Sequence, residues 1–157
     1  MKKSILGLAL VSSLALLVMT GCNSDENKEV AVVEKAEVKV DGYAVYKAKC
    51  QVCHVEMMKS KEALASLGKL SAPPMLEVSN RLKDMIKLKE EDKEVNRELI
   101  LTFIRDYVIN PDFDKSMCHL GALDRFDVMP SMKGQITEAE LKAVAEWVYD
   151  RYEGIAF

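Results

Sequence analysis

Two thiols and an imidazole fall within five residues, Cys50-Gln51-Val52-Cys53-His54, and they are the best equipped part of this 157-residue chain for chemistry. On a helical turn residues i and i+3 face the same way, so both sulfurs present to one side, with the histidine directly behind them. Three chemistries use such a set. The thiols can add to two vinyl groups on one edge of a haem whose iron takes the imidazole, they can cycle with a disulfide, or thiols and imidazole can share a zinc ion.

Context separates the three. A dithiol redox site calls for a preceding strand and a βαβ frame, whereas here the motif ends a helical pattern. A structural zinc calls for four ligands, and Cys118 and His119 are the residues that could complete a Cys3His set with Cys50 and Cys53. Haem is the favoured reading, with Cys50 and Cys53 as attachment points and His54 as an iron ligand. A ligating imidazole needs an acceptor on its second nitrogen to hold the ring. The rigid Ala72-Pro73-Pro74 segment supplies such a carbonyl and makes Pro73 the candidate. With two histidines and a single Cys-x-x-Cys-His, the chain has few general bases and no provision for a second haem.

The elements that must position this motif read as helices. Asp41 can cap a helix running to about Lys49. Pro74 suits the first turn of a second, carrying Leu76, Val78, Leu82, Met85 and Ile86. Asp92 can cap a third, with one ladder of Val95, Leu99, Phe103 and Tyr107 beside another of Ile100, Ile104 and Val108, stopped by Asn110-Pro111. Thr137 and Glu140 have capping-box spacing ahead of Leu141, Val144, Ala145, Val148 and Tyr152. No run alternates long enough for a sheet, so the fold class is all-α. The charge-dense stretch Lys87 to Glu98 reads as a solvated helix face and turn, with a docking patch as the alternative.

Ahead of this body stands an address. Lys2 and Lys3 precede 15 uncharged residues, Ile5 to Met19, too few for a spanning helix of roughly 20. Val18-Met19-Thr20-Gly21-Cys22 resembles the lipobox of bacterial lipoproteins, in which the cysteine is acylated and becomes the mature N-terminus. An ordinary cleavage site with an incidental cysteine is the alternative. Residues 1–21 are thus a leader, 22–40 a tether and 41–157 the working domain. The 18 residues Asn23 to Val40 lack aromatics, glycine and proline. As a flexible coil they would reach on the order of 25 Å, or about 60 Å fully extended.

Hydrophobic residues make up 49% and charged residues 30%, enough for one core. The net charge is -3, falling to -5 without Lys2 and Lys3, which excludes a phosphate-tracking nucleic-acid binder. Cys118 is left unpaired by these assignments. A buried, quiet side chain is expected there, with an intermolecular disulfide or a site near the haem rim with His119 as alternatives.

Gly42-Tyr43-Ala44-Val45-Tyr46 before the motif, Met129-Pro130, and Leu141-Lys142-Ala143-Val144-Ala145-Glu146-Trp147-Val148-Tyr149 together resemble a class I monohaem cytochrome c. The resemblance covers residues 41–54 and 126–152, and the chain departs from it by inserting Val55 to Ser71 before the proline. It implies first and last helices crossing at Gly42, locked by Tyr46 against Trp147, around one covalently attached haem c. It also implies Met129 as second axial ligand, ahead of Met132, Met117, Met75 and His119; Pro130 stiffens the loop, and a thioether raises the potential relative to a second imidazole. A single-electron carrier with redox-protein partners, in the periplasm and membrane-anchored through Cys22, is the function this implies. A haem-based sensor or a haem subunit of a larger oxidoreductase is the alternative. The anchor has a direct check: Cys22→Ala should move the protein from the membrane to the soluble fraction, and an unmodified Cys22 behind a different mature N-terminus would refute it.

Overall fold

The structure, a computed structural model, describes residues 39–88 and 92–157. The leader, Cys22 and the tether through residue 38 lie outside the described residues. A short α1 (Gly42–Val45) runs into a π-helical turn (Tyr46–Cys50), followed by α2 (Ser60–Ser66) and a 3-10 turn (Leu67–Lys69). Then come α3 (Met75–Met85), α4 (Lys93–Ile109), α5 (Leu120–Phe126) and α6 (Glu138–Asp150). There is no strand among the described residues, as the helical periodicity implied. No described helix is long and apolar enough to cross a membrane.

Local chemistry accounts for the helix starts. Asp41 Oδ1 accepts from the Tyr43 N–H at 2.9 Å, and Asp92 Oδ1 accepts from Val95 at 3.2 Å. Thr137 Oγ1 accepts from Glu140 N–H at 3.3 Å while Glu140 Oε2 accepts from Thr137 N–H at 2.8 Å, a complete capping box. Pro74 stands one residue earlier than expected: it is extended (ψ 145°) at the cap of α3, and its carbonyl takes the Val78 N–H. α2 and α5, seven residues each, have no counterpart in the periodicity, being too short to repeat a stripe.

The core lies among α1, α3, α4 and α6, built on Val45, Leu76, Leu82, Ile100, Ile104, Val144 and Val148. Of the two α4 ladders, the one through Ile100 and Ile104 faces inward with Leu101. Val95 and Leu99 stay 41% exposed, while Phe103 and Tyr107 stack at 5.5 Å farther along. Within the charged stretch, Arg97 reaches Asp150 of α6 at 3.1 Å and Lys87 pairs with Asp84 at 3.0 Å, so charge is spent on the surface.

Gly42 is where α1 meets α6. A Cβ there would run into the Ala143 carbonyl oxygen and lie 2.7 Å from Trp147 Cβ. This approach lets the Tyr46 ring stack on Trp147 at 4.5 Å, with Tyr43 at 5.6 Å on the same indole and Tyr152 edge-on at 5.8 Å. Each such pair contributes roughly 0.5–1.5 kcal/mol beyond area burial. Gly42→Ala should lower stability by about 3 kcal/mol in chemical denaturation, the upper end of overpacking costs. Gly68→Ala, where nothing lies within 4 Å of the added carbon, should change it little.

Candidate functional site

The π-helical turn delivers the motif. Gln51 N–H reaches back five residues to Tyr46 O at 3.0 Å, and the Cys50 carbonyl then accepts from both Cys53 (3.1 Å) and His54 (2.9 Å). Cys50 is half-buried and Cys53 exposed. Burial pushes the Cys50 thiol up and keeps it protonated.

His54 is held from two sides. Its Nδ1 lies 2.8 Å from Pro73 O. A carbonyl only accepts, so Nδ1 carries the proton and Nε2 keeps its lone pair. Burial lowers the imidazole pKa, against the opposing pull of the Pro73 carbonyl, so the ring is neutral at neutral pH. The backbone is clamped as firmly. Three consecutive carbonyls are each caught by a different element: His54 O by the Tyr46 hydroxyl (2.7 Å), Val55 O by the Met75 N–H (2.8 Å) and Glu56 O by the Tyr152 hydroxyl (2.8 Å). The Glu56 carboxylate takes Arg151 at 3.1 Å and the Tyr43 hydroxyl at 3.3 Å, which fastens the same loop to α6 and α1.

Beside the histidine opens a cavity of about 280 Å³. Cys50, Cys53, His54 and Pro73 line one part of its wall, and Met129 lines it too. So do Met75, Met117, Met132, Cys118 and His119, which means that the wall gathers every rival ligand without choosing among them. Cys118 is half-buried there rather than sealed in the core. The rest of the wall is mostly apolar, with Val78, Leu82, Phe103, Ile104 and Phe126. Glu77 and Arg81 add polarity, and burial holds the Glu77 carboxyl above the usual range. A flat apolar group carrying a metal suits this set: paired thiols at one edge, a neutral imidazole with a free lone pair, and soft thioethers on the wall.

Met129 hangs on an unusual turn. Asp127 has φ 61° and ψ -173°, a region costing about 1–3 kcal/mol outside glycine, and its carboxylate takes the Val128 N–H at 2.7 Å. Beyond Pro130, Ser131 Oγ donates to Ile109 O at 2.5 Å and Met132 N–H to Val108 O at 3.0 Å, tying the loop to the end of α4.

Sequence reasoning missed the hydroxyl clamps. It marks Tyr46 as a crossing residue and Tyr152 as one of a helix stripe. A bond from Tyr152 to a carbonyl 96 residues away leaves no periodic trace. Glu56 and Arg151 carry no sequence signal at all.

Residues 38–148 match the family described as cytochrome c oxidase, cbb3-type, subunit III. An uncharacterised protein of Aquifex aeolicus (strain VF5) is 36% identical over 120 residues, covering 71% of this chain and 74% of that protein. No solved structure matches the chain.

The clamp is testable through Tyr46. Burial, with Glu56 adding to it, pushes its hydroxyl from the ordinary value of 10 up to about 12. An acid raised in the folded state stabilises fully below its unfolded pKa and loses that contribution as pH rises through the folded one. The Tyr46 contribution should therefore fade between pH 10 and about 12. Tyr46→Phe should cost about 1 kcal/mol at neutral pH by leaving a partly buried carbonyl without this donor. Denaturation midpoints measured across that range should show the wild type converging on the variant; parallel curves would refute the burial of the hydroxyl, and equal midpoints at neutral pH would refute the clamp.

Proposed function

The chain belongs to the cbb3-type cytochrome c oxidase subunit III family, which makes it a c-type cytochrome of haem-based electron transfer, and on that premise we propose a monohaem one-electron carrier tethered outside the cytoplasm. When bound, the haem supplies a one-electron couple between ferric and ferrous iron. The observation that carries the site assignment is the 2.8 Å contact from His54 Nδ1 to Pro73 O, in a wall that also holds Cys50, Cys53 and Met129.

In this reading Cys50 and Cys53 would hold one haem covalently, as thioethers to its two vinyl groups. His54 would present Nε2 to the iron, with Pro73 fixing the ring's rotation through Nδ1. Met129 would offer the iron a neutral thioether, which favours the ferrous state. The apolar wall excludes water and so limits the rearrangement that accompanies each change of charge. Support for the membrane tether comes from the Cys22 lipobox pattern and from the 18 residues between it and the domain. Redox proteins are the proposed partners. The family's description as an oxidase subunit favours one alternative, stable assembly into a larger oxidoreductase. Crosslinking and co-purification from membranes would distinguish a permanent complex from transient encounters.

Mass spectrometry of the denatured protein should show the added mass of one haem, abolished when Cys50 and Cys53 are both replaced by Ala. Zinc retained with no haem would refute the reading. The ferric protein should show the weak far-red band of sulfur-to-iron charge transfer. Met129→Ala should remove the band and lower the midpoint potential, whereas a band that survives would move the ligand to another methionine.

A further inference from the structure

The stretch from Cys118 to Pro130 runs along the cavity wall and is fastened mainly at its ends. At one end Arg81 Nε donates to Met117 O at 2.9 Å; at the other, Ser131 and Met132 are tied to the last turns of α4. Between them lies α5, whose Leu123 is buried and whose Ala122 and Phe126 face the cavity. Among the described residues, the hydrogen bonds that join this stretch to another element are two, both from Arg125: Nε at 3.0 Å and the terminal amine at 2.6 Å, to the Leu67 carbonyl. Leu67 lies in the 3-10 turn of the Val55 to Ser71 insertion, where its carbonyl otherwise only closes the turn with Leu70 N–H at 3.3 Å.

We propose that Arg125 is a positioning residue for Met129: it latches the α5 segment onto a seat supplied by the insertion, and its release opens the Met129 side of the cavity to a small uncharged molecule. The proposal rests on the reading of Met129 as an iron ligand. Three residues separate Arg125 from Met129, and one of them is Asp127 of the strained turn. Strain of that kind persists only where the surroundings enforce it, so freeing α5 lets the turn relax and carries Met129 off the wall. The guanidinium also lies 5.6 Å from the Phe126 ring, so latch and cavity wall move together. Arg125 is exposed, and water competes for its donors, which makes the latch reversible rather than permanent. The mostly apolar lining sets the chemical class of the entrant: neutral and small, since an anion would have to shed its water.

Carbon monoxide added to the reduced holoprotein is the probe. Arg125→Ala should bind it at least tenfold faster than wild type and weaken the far-red band. Arg125→Lys, which restores a donor on a long arm, should return both toward wild type, and Arg125→Gln should fall between. Hydrogen exchange across Leu120 to Met129 reads the latch without any ligand and should quicken in Arg125→Ala. Carbon monoxide rates, band and exchange all equal to wild type would overturn the latch while leaving Met129 as ligand. Absence of the band in the wild type, with exchange still quickened by Arg125→Ala, would instead overturn the ligand reading and leave the latch standing. Should Arg125→Ala fail to fold, an unchanged Arg125→Gln would count against the proposal in the same way.

Discussion

Because Gly42 lacks a Cβ, the backbone of α1 lies directly against the Ala143 carbonyl of α6, and the histidine side of the cavity is organised around that approach. It brings the Tyr46 ring onto Trp147, which in turn meets Tyr152 edge-on. Rings held in this way aim their hydroxyls at the loop behind the motif, where they meet the carbonyls of His54 and Glu56. A contact between two helices thereby becomes a constraint on the orientation of one imidazole. Any side chain at residue 42 would separate the helices and loosen all of these bonds together, because close-packed interiors transmit displacement rather than absorb it.

The two walls of the cavity are held by different physics. On the His54 side, neutral donors, among them the buried Tyr46 and Tyr152, meet partly buried backbone carbonyls. Burial raises the tyrosine pKa values further above neutral, and it lowers that of the imidazole, which stays neutral. Such bonds are costly to leave unmade, so this wall is rigid. On the Met129 side, bonds from Arg81, Ser131 and Met132 hold the two ends of the segment, while α5 between them is fastened to another element by an exposed guanidinium and is followed by a strained turn. The wall beside His54 is thus fixed, and the one beside Met129 more adaptable. The insertion after the histidine, which interrupts the resemblance to class I cytochromes, reaches across to steady the weaker side.

Family membership and geometry bear on different levels of the description. The matched span of residues 38–148 holds the motif, the proline, the methionines and most of α6. Tyr152 and Arg151 lie beyond it, yet both grip Glu56. The arrangement behind the histidine is thus completed by residues at the end of the chain.

By itself the sequence determined what depends on near neighbours. Asp41, Asp92 and Thr137 start helices because each reaches N–H groups two or three residues away, and the spacing of Cys50, Cys53 and His54 likewise gathers two thiols and an imidazole within about one turn. The all-α class follows from stripes long enough to repeat. Only the tertiary structure decided the rest. α2 and α5 are too short to show a period, and Val95 and Leu99 share a ladder with Phe103 yet lie outside the core. Sequence spacing could nominate Pro73, but the hydrogen bond to His54 depends on how α3 packs beside the motif turn. Met75, Met117, Met129 and Met132 share one cavity wall although 57 positions separate the first from the last. Such convergence is set by how helices pack, and packing is a property of surfaces that meet only after the chain has folded.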